Sequence, residues 1–275
     1  MDLLFWSARF PSRLSSAARA ALPPLVFTAA VLGLASCSSP AALPVRGAPA
    51  APAAFQLASA QRLLIVTDGG VALRAGAAGA AGAVSVDVGG AGGSVVSSWH
   101  RTVSEATLSL TCPADPAPGS GPCPAITQVS VPRNAAVTVR ARNAGVSATG
   151  LDGPLNLSTV NGDVTVVSAG AAGAPVQLTT RNGSVRASGL RAPTLAAWTV
   201  NGDVDLTWAS APSQVTATTT NGSLDLVLPA DCPQYAITAR TRNGQPRLGL
   251  PTDSASADRM ALTTVNGDIT VRAAP

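Results

Sequence analysis

The chain of 275 residues has no lysine, a single histidine (His100), 3% aromatic residues and 12% charged residues. Its 18 basic residues are all arginines and exceed the acidic ones by only four, so the chain lacks the charge excess of a nucleic-acid-binding protein. With one histidine and no Gly-x-Ser-x-Gly motif, we expect no nucleophile–histidine triad. The low charge excludes a coiled coil, and the 46% apolar content excludes a disordered chain.

The N-terminus has the pattern of an export signal. Three arginines precede an uncharged run, residues 20–36, which leads into the string LASC at residues 34–37. This string resembles the lipobox of bacterial lipoproteins, in which the cysteine is acylated before the signal is cleaved. The run is shorter than the about 20 apolar residues of a membrane-spanning helix, so a lipoprotein signal is favoured over a plain membrane anchor. Cys37 is therefore the predicted lipidation site.

The composition divides the chain into three parts. Residues 1–36 are predicted to be the lipoprotein signal peptide, residues 37–55 an Ala/Pro-rich tether, and residues 56–275 one folded domain. The tether holds mostly small residues and proline and cannot bury a core. The mature protein is expected on the outer side of the cytoplasmic membrane, or on the outer membrane if the host has one, with the membrane as its partner through the lipid.

The remaining cysteines indicate an oxidising compartment. Cys112 and Cys123 bracket a Pro/Gly-rich loop, so a disulfide between them is predicted after export. A zinc site is the alternative, but the chain has no Cys-x-x-Cys pair and one histidine. We expect no metal and no cofactor, and Cys232 is assigned no role.

A repeat runs through the second half of the chain. The dipeptide Asn-Gly occurs six times at spacings of 19 to 23 residues, and threonine stands two positions before each asparagine. Apolar residues predominate four and six positions before each asparagine and three and five positions after it, with mostly polar residues between them. The repeated residues are Thr159, Thr180, Thr199, Thr219, Thr241 and Thr264, with Asn161, Asn182, Asn201, Asn221, Asn243 and Asn266.

This alternation predicts half-buried strands on both sides of each turn, and hence an all-β fold. Asn-Gly is also a hairpin signal, so an antiparallel β-meander or sandwich is one alternative. The threonine column favours a parallel β-solenoid of about 20 residues per turn, because equivalent positions then stack about 4.8 Å apart and each hydroxyl can bond along the column. Asparagine would tolerate a left-handed backbone at the corner.

Four strings carry a family resemblance: TVNGDVTV, TRNGSVRA, TVNGDVDL and TTVNGDITV. On a chain with a lipobox, they resemble the bacterial putative-adhesin family of β-solenoid surface proteins, which is a domain of unknown function. The resemblance covers about residues 60–275 and is best over residues 150–275. It implies a right-handed β-solenoid at the cell surface and a role in adhesion or envelope sensing, and it brings no catalytic residues.

Outward-facing acids form one candidate site. The positions four residues after each asparagine include Arg186, Asp205, Asp225 and Arg247, so the two acids are predicted to be stacked neighbours flanked by the arginines. Two carboxylates on one face of a solenoid could cleave a polysaccharide. A ladder of mutually satisfied charges is favoured, because no third acid or aromatic platform accompanies the pair.

A second candidate is Trp198, which has outward parity, whereas Trp208 has inward parity and is predicted to lie in the core. An exposed tryptophan on a sheet is suited to a sugar or protein contact, and cover by a loop is the alternative. Asp163, Asp203 and Asp268 directly follow Asn-Gly and are predicted to stabilise turns, since calcium-binding repeats have a period of nine residues.

The sequence therefore favours a non-enzymatic, lipid-anchored surface protein that binds an envelope polymer or a surface protein, and no nucleic acid. The binding face would include Arg186, Trp198, Asp205, Asp225 and Arg247. A polysaccharide-acting enzyme using Asp205 and Asp225 is one alternative. A stiff spacer without a ligand is the other.

Overall fold

The structure is a computed structural model that describes residues 55–58, 61–77, 82–87, 95–112, 126–171 and 173–275. All regular elements in these ranges are β-strands, and none of these residues forms a helix that could span a membrane. The predicted signal peptide, the lipidation site Cys37, nearly all of the tether and Cys123 lie outside the described residues. The Cys112–Cys123 disulfide therefore stays a prediction.

From β6 onward the strands alternate between two sheets as the chain advances. In chain order they are β1 (Phe55–Gln56), β2 (Arg62–Thr67), β3 (Gly70–Ala75), β4 (Ala83–Asp87), β5 (Val96–Arg101), β6 (Glu105–Thr111), β7 (Ile126–Val131), β8 (Val137–Arg140), β9 (Val146–Thr149), β10 (Leu155–Ser158), β11 (Val164–Val167), β12 (Val176–Thr179), β13 (Val185–Leu190), β14 (Thr194–Trp198), β15 (Val204–Trp208), β16 (Gln214–Thr218), β17 (Leu224–Leu228), β18 (Ala236–Arg240), β19 (Pro246–Gly249), β20 (Arg259–Thr263) and β21 (Ile269–Ala273).

The predicted solenoid is confirmed, and the antiparallel alternative is wrong. β14 pairs in parallel with β12 and β16, while β15 pairs in parallel with β13 and β17. The strands on either side of an Asn-Gly turn therefore belong to different sheets and do not form a hairpin. We call each such strand pair with its turn a coil, so that β14–β15 is one coil of the stack.

The order of the coils in space differs from their order in the chain at both ends. The last coil, β20–β21, lies between β16–β17 and β18–β19, and β2–β3 lies between β6–β7 and β8–β9. The repeat therefore identifies which positions align, but not which coil is the neighbour. Coil β18–β19 forms the C-terminal end of the stack, although it is not the last in the chain.

The two ends of the stack are built differently. At the N-terminal end, β5 pairs antiparallel with β6, and β4 pairs antiparallel with β7 and β1. Phe55 and Trp99 stack there with ring centroids 4.0 Å apart, and the Arg101 guanidinium lies 4.5 Å from the Phe55 centroid. At the other end, all four residues of β19 are exposed.

The core lies between the sheets and continues from coil to coil. Inward residues align in parallel register, so each column presents similar side chains to its neighbours, and each buried Val or Leu contributes about 1.5–3 kcal/mol. One column of the eleven-stranded sheet is Val146, Val164, Val185, Val204, Leu224 and Ile269; one of the ten-stranded sheet is Val139, Leu157, Leu178, Ala197, Ala217 and Leu262.

Candidate functional site

The threonine column lines the inside of the corner where the two sheets meet. Every member except Thr241 is buried, and Thr241 is half-buried because it lies in the end coil. Each hydroxyl donates a hydrogen bond of 2.8–2.9 Å to a backbone carbonyl of the neighbouring coil; the pairs are Thr159–Ala144, Thr180–Gly162, Thr199–Gly183, Thr219–Gly202, Thr264–Gly222 and Thr241–Gly267. The expected bonds between threonines are not made, because the stacking distance of about 4.8 Å is too long for them.

The asparagine column forms a ladder on the outside of the same corner. Each Nδ2 donates to the Oδ1 of the preceding asparagine at 2.7–3.2 Å, in the spatial order Asn143, Asn161, Asn182, Asn201, Asn221, Asn266 and Asn243. Asn266 thus separates Asn221 from Asn243, which chain order would have made neighbours. The ladder links seven coils through exposed amides.

Glycine, and not asparagine, takes the left-handed backbone of the corner. Gly202 has φ +153°, and a Cβ at this position would collide with the carbonyl of Gly183 in the neighbouring coil. The expectation that asparagine adopts this conformation is wrong. The close approach of two backbones requires a residue without a side chain.

The aspartates that follow Asn-Gly also bind the next coil. Asp163 Oδ1, Asp203 Oδ1 and Asp268 Oδ1 each accept a backbone N–H at 2.8 Å, from Ser184, Ser223 and Gln245 respectively. These aspartates therefore make the same hydrogen bond between neighbouring coils at three places in the stack.

The outer face of the eleven-stranded sheet carries ion pairs, and we call it the Arg–Asp face. Asp205 and Asp225 are register neighbours, and Arg186 adjoins Asp205. The predicted flanking of Asp225 by Arg247 is wrong, because Thr270 of the inserted coil lies between them. The ion pairs are Arg186 with Asp163 (2.8 Å) and Asp205 (3.6 Å), Arg272 with Asp225 (3.5 Å), and Arg247 with Asp268 (3.4 Å).

Asp205 has a perturbed carboxyl on this face. Burial raises its pKa above the ordinary value, and the like charges of Asp203 and Asp225 act in the same direction, against the opposing effect of Arg186. One oxygen of Asp225, Oδ1, is buried without a hydrogen-bond partner in the described part of the chain. The two carboxyls therefore repel each other while each is also paired with an arginine.

The outer face of the ten-stranded sheet is uncharged over four adjacent strands. We call this surface the Trp198 face and define it by the outward residues of β10, β12, β14 and β16. They are Asn156, Ser158, Gln177, Thr179, Thr194, Ala196, Trp198, Gln214, Thr216 and Thr218. Nine of these ten side chains are small or carry a neutral amide or hydroxyl, and the tenth is the indole.

Trp198 stands among small neighbours. Thr179 and Thr218 lie beside it in register, and Ala196 precedes it on the same face of β14. Its exposed fraction is 42%, so no described loop covers it. Trp208 has the opposite orientation and is buried at 3% exposure in register with Leu190.

A shallow groove of about 540 Å³ lies on the side of the stack opposite the Asn-Gly turns. Arg133 and Arg191 both pair with Asp152 at its edge, and the hydrogen bond from Arg133 is the main cause that lowers the pKa of Asp152. This cluster was not predicted from the sequence, because its members lie outside the repeated positions and are far apart in the chain.

The remaining reactive residues are dispersed. His100 is exposed on β5 at the N-terminal end of the stack, and Cys232 is half-buried near the other end. Within the described ranges, no three His, Cys, Asp or Glu side chains are grouped so that they could hold a metal ion.

Comparison with known proteins agrees with this architecture. Residues 145–272 match the family described as Toastrack DUF4097, which confirms the predicted putative-adhesin domain of unknown function over this range. No curated protein sequence is significantly similar to the chain.

The chain is also similar to two crystal structures. One is a putative cell adhesion protein from Clostridium sporogenes, with TM-score 0.36 and 10% identity over 80% of this chain and 97% of that chain. The other is a putative adhesin from Bacteroides fragilis, with TM-score 0.43 and 13% identity over 80% of this chain and 95% of that chain.

Proposed function

We propose a function from the geometry of the chain, whose residues 145–272 match the family described as Toastrack DUF4097. The protein is a non-catalytic binding module on the cell surface, anchored by a lipid at Cys37 and held off the membrane by the tether. Its solenoid presents a binding face to an envelope polymer or a surface protein.

The observation that supports binding is the Trp198 face. Trp198 ends β14, and its large aromatic side chain is exposed beside the smaller Thr179 and Thr218, where it costs solvation free energy and adds nothing to the core. The strands beneath it are held by parallel pairing on both sides, so the face is rigid. A rigid platform loses little conformational entropy when a ligand binds.

The ion pairs of the Arg–Asp face favour a structural role for Asp205 and Asp225. Asp205 contacts Arg186, and Asp225 contacts Arg272, so both carboxylates are partly exposed and have ionic partners. His100 lies at the other end of the stack, on the other sheet. This arrangement supplies charge balance and offers no nucleophile–base pair.

The first test measures binding by the compact unit of residues 49–275, which contains all the strands of the described residues. We expect this fragment to sediment with isolated cell envelopes and to show saturation. The control is Thr199→Asp, which should destabilise the stack and weaken binding only as far as it lowers the folded fraction. A folded fragment that shows no saturable binding to envelopes would contradict the proposed function.

The second test concerns the anchor. In the full-length chain, Cys37→Ser should leave an unprocessed precursor that incorporates no labelled fatty acid. Cys232→Ser is the control and should be labelled like the wild type. Equal labelling of the Cys37→Ser variant and the wild type would contradict lipid anchoring.

A polysaccharide-acting enzyme remains the second candidate, and the raised pKa of Asp205 beside Asp225 is the observation that favours it. A glycan-release assay on envelopes tests it. Turnover that is lost in both Asp205→Asn and Asp225→Asn would establish the enzyme and replace the binding proposal. Absence of turnover in a fragment that binds envelopes would eliminate it.

A further inference from the structure

We propose that the Trp198 face binds an uncharged polysaccharide, with the Trp198 indole stacked against a sugar ring. This inference rests on the proposed binding function and specifies its site and its ligand class. Three properties of the face support it: its charge, its chemistry and its size.

The face is uncharged, whereas the opposite face of the same coils is not. None of its ten side chains is ionisable. In the coils β14–β15 and β16–β17, the outer face of β15 and β17 carries Asp205 and Asp225, whereas the outer face of β14 and β16 carries only neutral groups. The strands that border the face carry charge, because Arg140 of β8 is the register neighbour of Ser158 and Arg259 of β20 is the register neighbour of Gln214. An anionic polymer would leave its charges unpaired at the centre of this face, and a neutral one would not.

The chemistry of the face matches the two sides of a sugar. The side chain of Trp198 is 42% exposed beside the smaller Ala196, Thr179 and Thr218, so part of its apolar ring is accessible to the C–H groups of a pyranose. Around it, amides and hydroxyls supply both donors and acceptors for sugar hydroxyls. Asn156 and Gln177 bond to each other at 3.2 Å, which orients two amides and leaves them with further donors and acceptors.

The size of the face excludes a stable protein interface on this surface alone. Four strands spaced about 4.8 Å apart, each offering about five residues at 3.3 Å, give roughly 300 Å². A specific protein interface needs about 800 Å² on each partner and a cluster of apolar groups at its centre. This face has one large apolar side chain, which suits a polymer that lies flat along the sheet and makes repeated weak contacts.

The experiment uses the fragment of residues 49–275 and three envelope fractions: neutral polysaccharide, acidic polysaccharide retained on an anion exchanger, and protein. Binding is measured by affinity electrophoresis for the polysaccharides and by sedimentation for whole envelopes. The test variant is Trp198→Thr, which copies the threonines of the same column and should preserve the fold. The control variant is Arg247→Thr, an exposed change on the Arg–Asp face.

We expect the neutral fraction to retard the wild type and the Arg247→Thr variant equally. Retardation of Trp198→Thr should be weaker by about tenfold or more, and its thermal midpoint should match the wild type. Binding of the neutral fraction should change little between low and high salt, because no ion pair is formed.

Other outcomes would overturn the inference, and they separate it from the proposed function. Binding of the neutral fraction that survives Trp198→Thr would place the site elsewhere. Salt-sensitive binding to the acidic fraction only, or to the protein fraction only, would contradict the ligand class, while the binding function would stand. A fragment that binds neither the fractions nor whole envelopes would remove both proposals.

Discussion

The corner of the solenoid repeats the same residues from coil to coil, whereas its outer faces vary. At the corner, the same Thr, Asn and Gly occur in six coils and make the same contact each time, from hydroxyl to carbonyl and from amide to amide. On the outer faces, equivalent positions hold Arg, Asp and Thr, or Ser, Thr and Trp. The difference indicates that the corner specifies the fold and that the faces are free to specify what the protein contacts.

The two faces also differ from each other. The Arg–Asp face satisfies its charges within the protein, through pairs such as Arg186–Asp163 and Arg272–Asp225. The Trp198 face leaves its one large apolar group in water. Groups that are already paired gain less from a ligand, so the contrast supports the proposed binding on the Trp198 face.

The largest predicted effect comes from a charge at the corner. Thr199 is fully buried and donates to the Gly183 carbonyl, so Thr199→Asp would place a carboxylate against a carbonyl oxygen and should cost about 3–5 kcal/mol. Thr241 lies in the end coil and is half-buried, so Thr241→Asp should cost about 1 kcal/mol. Denaturant unfolding of both variants measures the difference.

A third variant, Thr264→Asp, tests the order of the coils. By chain order Thr264 would be terminal, but the structure places it between Thr219 and Thr241. Thr264→Asp should therefore behave like Thr199→Asp. A mild effect of Thr264→Asp together with a severe effect of Thr241→Asp would contradict the inserted position of the last coil.

A smaller loss is expected at the backbone contact of the corner. Gly202→Ala would introduce a side chain at φ +153° and against the Gly183 carbonyl, and should cost about 2–4 kcal/mol. The control is Gly173→Ala, also at positive φ but with open space around the added Cβ. Thermal unfolding of the two variants separates strain from collision, and equal losses would show that the close packing of coils contributes nothing.

The smallest effect should come from the Arg–Asp face. Because the pKa of Asp205 is higher in the folded state than in the unfolded chain, the folded state loses stability as pH rises through the window above the ordinary aspartate range. Asp205→Asn should therefore stabilise the protein near neutral pH, by less than about 1 kcal/mol because the group is half exposed. The gain should disappear at about pH 3, where the aspartate is protonated in both states.

The control for this change has the opposite sign. Asp163 accepts hydrogen bonds from Arg186 and from the Ser184 backbone, so Asp163→Asn should destabilise the protein at neutral pH. Thermal midpoints across the pH range measure both variants. A lower midpoint for Asp205→Asn at neutral pH would contradict the repulsion that we assign to Asp203, Asp205 and Asp225.

The sequence allowed the strands of each coil and their parallel stacking to be predicted, but not the order in which the coils stack. Fixed offsets from Asn-Gly identified the inward residues and the outward position of Trp198, because strand periodicity is local. The insertion of β20–β21 before β18–β19 could not be predicted, because repeats of nearly equal length carry similar inward residues. Such repeats are compatible with more than one order of coils. The Arg133–Asp152–Arg191 cluster also escaped prediction, because it lies in the connections, where no residue repeats.

The same limit explains the errors in detail at the corner. Asparagine and glycine are adjacent in every repeat, so the pattern alone does not reveal which of the two takes the left-handed backbone. It also does not reveal whether a threonine hydroxyl meets another hydroxyl or a carbonyl. Both answers depend on the distance between neighbouring coils, which is a property of the assembled stack.

Hydrogen exchange on the fragment of residues 49–275, with and without the neutral polysaccharide fraction, tests the central claim most directly. We predict that slowed exchange is confined to peptides from β12, β14 and β16, and that peptides from β13, β15 and β17 of the same coils are unchanged. Slowed exchange in β15 and β17, with no change in β14, would contradict the assignment of binding to the Trp198 face.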